Sequence, residues 1–163
     1  MKKIKMIILS VLLILLLPII LINSVIIVNS YIKPNEIPSF FGWKPFIVLS
    51  GSMETQINTG DLVVVKDAQN TELKNGDIIA FKNGDSVITH RIVDKEGKIK
   101  YKTKGDNNNA TDDWYVSPEQ IEGIYQFKMS RLGNIAMFIQ TPIGMIICLS
   151  IPIILIILTQ MTA

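Results

Sequence analysis

Two long apolar runs bracket a polar centre, and this limits the possible folds more than any other feature of the sequence. Residues 6–28 are mostly Ile, Leu and Val with no charged side chain, and residues 136–158 repeat the pattern. Each run is near the ~20 residues that cross a ~30 Å hydrocarbon core as a helix. The polar stretch between them is long enough to bury a modest core of its own. The expected organisation is a basic cytoplasmic tip and transmembrane anchor over residues 1–30, an extracytoplasmic domain over 31–131, and a C-terminal transmembrane helix with a short tail over 132–163. Lys2, Lys3 and Lys5 precede the first run, and positive charge beside a first span tends to stay cytoplasmic. Lys128 and Arg131, on the domain side of the second run, oppose this only weakly. The expectation is a two-pass protein of the plasma membrane, with the lipid bilayer as its standing partner and both termini inside. The first run reads as a retained anchor, being longer than the about 7–15 apolar residues of a cleaved leader, and Asn23-Ser24-Val25 is a poor small-x-small site.

Composition removes several classes. A net charge of +2 on 163 residues gives no basic footprint for nucleic acid. The single cysteine, Cys148, lies in the second apolar run, so there is no internal disulfide framework. Its position also argues against a membrane-anchored thiol transpeptidase, which needs a reactive cysteine in its water-exposed part.

The centre reads as β structure. Asp61-Leu62-Val63-Val64-Val65, Asp77-Ile78-Ile79-Ala80-Phe81, Ser86 to Val93, Lys98 to Thr103, and Gly123-Ile124-Tyr125-Gln126-Phe127 are short strand-like segments separated by turn formers. Asn83-Gly84 signals a hairpin, and Pro118-Glu119-Gln120 a short helical turn. Such spacing predicts a sheet-rich barrel or sandwich. Phe40, Phe41, Trp43 and Phe46 cluster among prolines just after the first run, a composition favoured at a membrane–water boundary.

Chemistry concentrates at three places. Ser50-Gly51-Ser52-Met53-Glu54 follows an apolar run; a serine can attack a carbonyl once a neighbouring base takes its proton. His90 is the sole histidine, and strand alternation puts it on one face with Ile88 and Ile92. Imidazole is a base at ordinary pH without large perturbation, although a lone histidine on an apolar face is also a common core residue. The third place is the acidic loop containing Asp106, Asp112 and Asp113. A carboxylate there could orient the imidazole, or the loop could bind calcium through its oxygens, although it lacks EF-hand spacing.

Taken in order, Ser50-Gly51-Ser52-Met53-Glu54, Gly60-Asp61-Leu62-Val63-Val64, Gly76-Asp77-Ile78-Ile79-Ala80-Phe81, Thr89-His90-Arg91-Ile92-Val93 and Thr103-Lys104-Gly105-Asp106-Asn107-Asn108 resemble the type I signal peptidases. These are membrane-bound serine endopeptidases that remove signal peptides from exported preproteins. His90 stands before Arg91 where the common bacterial branch has lysine, so the chain resembles the serine–histidine branch of the endoplasmic reticulum, archaea and some Gram-positive bacteria. The resemblance implies a signal-peptidase-like β domain, lumen-facing if the source is eukaryotic. It further implies Ser52 as nucleophile, His90 as base, Asp106 as a functionally important acid and Asp112 as triad member, with Asp113 as the alternative. Ser50 and the backbone of Ser52 would form the oxyanion hole, and no cofactor or metal is required. Thr55 stands where that family usually has proline. Accessory subunits are undefined by the sequence. The competing reading is a non-catalytic membrane-anchored β domain serving secretion as an accessory subunit, which has no need of Ser52 together with His90.

Overall fold

The computed structural model describes residues 39–68, 71–97 and 99–144, and single positions or pairs elsewhere between 10 and 157. The N-terminal lysines, most of the first apolar run and parts of the second, Cys148 included, lie outside the described residues. The chain separates into two compact units, Met1–Pro38 with Ile135–Ala163, and Ser39–Asn134. In the first unit the described positions from 10 to 32 and from 142 to 157 are helical. Among the described residues no helix is long and apolar enough to cross a membrane.

The second unit is a mainly β domain with one antiparallel sheet of seven strands. They are β1 (Trp43–Ile47), β2 (Leu62–Lys66), β3 (Ile78–Asn83), β4 (Ser86–Glu96), β5 (Lys100–Lys104), β6 (Tyr115–Val116) and β7 (Ile121–Met129), and they lie in the order β1-β2-β7-β3-β4-β5-β6. A 3-10 turn, Pro118–Gln120, precedes β7, and helix α1 (Leu132–Gln140) follows it. Two strands extend what the sequence pattern indicates. β1 carries Pro45 paired with Val64; proline has no N–H to give, so it is tolerated where one side of the strand is unpaired. β6 has just two residues, too few for an alternation to be read.

β3 explains where the core sits. Its run Ile78-Ile79-Ala80-Phe81 is wholly buried because both faces of the sheet are covered there. Ile78 and Ala80 join Met53, Ile57, Val63 and Val65 in one cluster, while Ile79 and Phe81 join Leu73, Ile92, Tyr101 and Val116 in the other. β7 lies between two partners, pairing with β3 over Ile121–Ile124 and with β2 over Ile124–Met129, with register shifts at Val64/Val65 and Ala80/Phe81. Such bulges bend strands and increase their twist.

A buried carboxylate fastens the start of β2 to the end of β7. Asp61 is 2 % exposed. Its Oδ2 accepts the Asn58 amide at 3.0 Å and pairs with Lys128 Nζ at 2.9 Å, and its Oδ1 accepts the Arg131 amide at 3.1 Å. Burial alone would raise its pKa, but the two amides and the ammonium together hold it below the ordinary aspartate value. A carboxyl depressed in the folded state adds stability that is present above the unfolded value of about 3.9 and is lost as pH falls through the folded one. D61N is therefore expected to lower the unfolding free energy by about 1–3 kcal/mol at pH 7. Urea titrations at two pH values check this: the gap to wild type should narrow below about pH 4.

Candidate active site

The turn-rich segment between β1 and β2 carries Ser50 and Ser52, and its own side chains hold it in place. Met53 and Ile57 are 2 % and 0 % exposed and sit in the core beside β2 and β3. Ser52 is thus fixed one residue from a buried anchor while remaining half-buried itself. Its Oγ lies 3.5 Å from Ser50 Oγ. Ser52 and His90 are not hydrogen-bonded to one another; the link between them runs through a loop.

That loop, residues 105–112, is tied at both ends. At its start the Asn107 amide donates to Ser52 O at 2.9 Å, Asn107 Nδ2 donates to Gly51 O at 3.0 Å, and the Asp106 amide lies 3.3 Å from Met53 Sδ. Gly105 lies so close that a Cβ there would be 2.5 Å from Ser52 O, a backbone atom with little freedom to yield. At its end Asp112 turns into the domain, with its amide donating to Thr103 O at 2.9 Å and its Oδ2 lying 2.8 Å from His90 Nδ1. Both His90 and Asp112 are buried, at 5 % and 8 % exposure. An ionised carboxylate only accepts hydrogen bonds, so the proton of this contact is on Nδ1, and Nε2 is left as the basic nitrogen. Thr103 Oγ1 donates to the same Oδ2 at 2.5 Å. The Phe81 ring meets the imidazole edge-on at 6.4 Å.

The three acids of the loop diverge. Asp112 faces His90, whereas Asp106 takes a two-point pair from Arg91, Nε to Oδ1 at 2.8 Å and a terminal nitrogen to Oδ2 at 2.6 Å. Arg91 also donates to Gly76 O at 2.7 Å and Gln56 Oε1 at 2.6 Å. The forked pair with Asp106 raises the guanidinium above its ordinary value, against burial; it is a fixed cation at any working pH. Asp113 is exposed and makes no bond to His90. Among the described residues no three His, Cys, Asp or Glu side chains converge as a metal site. Lys82 of β3 pairs with buried Glu122 at 3.2 Å.

Ser52 lines a groove of about 130 Å³ together with Val48, Leu49 and Ser50 and with Val87, Ile88 and Thr89 of β4. The first half of β4 pairs with β3, while β5 joins it from Arg91 onward. One backbone edge of β4 is therefore open along this groove.

Residues 46–125 match the model of the Peptidase S24-like family. That match lies within the β domain and covers just under half of the chain. Signal peptidase I W of Bacillus subtilis (strain 168) is 40 % identical over 93 residues, 54 % of this chain and 49 % of that protein. The signal peptidase complex catalytic subunit SEC11 of Metarhizium acridum is 44 % identical over 72 residues, 40 % of this chain and 42 % of its own length. SEC11C of Homo sapiens is 40 % identical over 72 residues, 40 % of this chain and 38 % of its own. The chain thus resembles type I signal peptidases, and it spans about half or less of the length of the curated relatives it matches.

Three residues of this site carried little sequence signal. Asn107 sits within a run of three asparagines, and composition does not distinguish a clamp from a solvated turn. Gln56 carries no pattern at all. Thr103 had a faint one: in Lys100-Tyr101-Lys102-Thr103-Lys104 it shares the lysine-free face with Tyr101, the face that β structure turns inward. The close approach of Gly105 gives a test. G105A should push the Ser52 carbonyl aside and cut peptide turnover by about 100-fold, the usual cost of a misplacement near 1 Å. Circular dichroism of the sheet should be unchanged.

Proposed function

We propose that this chain is a membrane-anchored serine endopeptidase of the signal peptidase I type, acting on signal-peptide-bearing preproteins through Ser52, His90 and Asp112. The observation that carries the reading is a buried His90–Asp112 pair whose acid belongs to the same loop that grips the Ser52 carbonyl. A histidine serving as mere core filler needs no carboxylate in hydrogen-bond contact. The competing role, a non-catalytic secretion subunit, has no use for that pair.

In the proposed mechanism Ser52 Oγ attacks the scissile carbonyl carbon as His90 Nε2 takes its proton. The imidazolium that results is stabilised by Asp112 across the 2.8 Å contact. The oxyanion is met by the Ser52 amide and the Ser50 hydroxyl, which already lies near the nucleophile at 3.5 Å. His90 then returns its proton to the leaving amine. Water, deprotonated by the same imidazole, releases the acyl group from Ser52. In substrate-free sites catalytic hydrogen bonds are often unformed and tighten on binding, consistent with the Ser52–His90 contact being open. Asp106 acts at one remove, holding Arg91 and through it Gln56.

An extended peptide has a ready place along the open edge of β4, where main-chain hydrogen bonds would add it to the sheet. The volume of about 130 Å³ suits small side chains, the chemistry of a signal-peptide end. Hydropathy of residues 6–28 and 136–158 supports two membrane spans with the domain outside.

S52A should reduce processing of a preprotein by several orders of magnitude with membrane insertion intact, because no other group replaces the nucleophile. Cleavage by S52A near the wild-type rate sinks the reading. S50A should keep measurable activity, about 10²–10³-fold down, as for one lost oxyanion donor; single-turnover rates of the two variants separate these roles.

A further inference from the structure

Thr103 is fully buried in β5, and its hydroxyl does something that the steps above leave unused. Oγ1 donates to Asp112 Oδ2 at 2.5 Å, and the same oxygen lies 2.8 Å from His90 Nδ1. A second tie, from the Asp112 amide to Thr103 O at 2.9 Å, holds the acid to this strand residue at two points. Packing alone would be met by valine, which has the same shape without a buried hydroxyl to satisfy. We propose that Thr103 is a positioning residue which shares Asp112 Oδ2 with His90, fixing the carboxylate and setting the pH at which the imidazole becomes a free base. The proposal rests on the Ser52–His90–Asp112 reading.

The sign follows from charge. A hydroxyl donated to a carboxylate stabilises its negative charge and weakens its pull on the imidazole proton. Removal of the hydroxyl leaves that charge less compensated, so the imidazolium beside it forms more readily. The base works in its neutral form, so the acid limb of activity moves to higher pH. Around His90 are also apolar groups, a paired cation and two further carboxylates. Opposite it on β3 are Ile79, in register, and the Phe81 ring. On β4 itself Arg91 is neutralised by Asp106, and on β5 Lys104 is in register with Arg91, not with His90. The acidic loop adds exposed Asp113, and the nucleophile segment adds Glu54, whose carboxylate lies against Gly51. None of these is altered by a change at Thr103.

His90 is the sole histidine of the chain, so ¹⁵N-histidine labelling of the full-length protein in detergent reports on this ring and no other. The expected result is that T103V raises the imidazole titration midpoint by about 0.5–1 pH unit, while T103S stays within about 0.2 unit of wild type. The acid limb of kcat/KM should follow the same order. If T103V does not fold, T103A removes the hydroxyl without adding bulk and is read the same way. A hydroxyl-free variant that titrates with wild type overturns the proposal, as does T103S shifting as far as T103V. The parent reading is judged separately: processing by S52A would overturn it, while the ring titration still reports on Thr103.

Discussion

A carboxylate taken out of water must be paired, and this domain places its buried acids where strands have to be held together. Asp61 joins the start of β2 to the end of β7, through Lys128 and the Arg131 amide. Glu122, 8 % exposed, receives Lys44 from β1 at 2.8 Å and Lys82 from β3 at 3.2 Å. Asp112 joins β4 to β5 through His90 and Thr103. Leaving any one partnerless would cost several kcal/mol, since desolvation is not recovered without its counter-group. The cost makes the pairing specific: strands that slipped by one residue would strand a charge in the core.

One of these three junctions differs from the others in its chemistry. Lysine and amide partners produce fixed charges, suited to holding a sheet. Imidazole and hydroxyl partners produce a contact whose proton can be lent and returned. The loop that delivers Asp112 also grips Ser52 O through the Asn107 amide, so Asp112 and Ser52 cannot be displaced independently. Reach across the domain is achieved by backbone contacts, which side-chain substitution leaves largely intact.

Much of this was legible in the residues because it rests on local rules. β3 reads as strand from an unbroken Ile-Ile-Ala-Phe, and β4 from an alternation that also turns His90 inward with Ile92. The pairing of His90 with Asp112, and not Asp106 or Asp113, was not fixed by spacing. It depends on where a turn-forming loop re-enters the core, which follows from Thr103 accepting the Asp112 amide. β1 was obscured by Pro45, whose effect depends on whether the strand lies at an edge, a property of the whole sheet. The close backbone approach to Ser52 is made by Gly105, fifty-three positions away, and no local pattern announces it.

The arrangement of sheet edges has a further consequence. β1 interrupts its outer hydrogen-bonding row with Pro45, and β6 at the opposite margin is two residues long. Such margins give poor templates for another chain. The first half of β4 is different: it is continuous, free of proline, and open beside Ser52. A stray extended segment meeting this sheet would find little to grip at its two ends and a full ladder at the groove. Strand addition, a hazard for most sheet proteins, is thereby channelled to the stretch of β4 that lies beside Ser52.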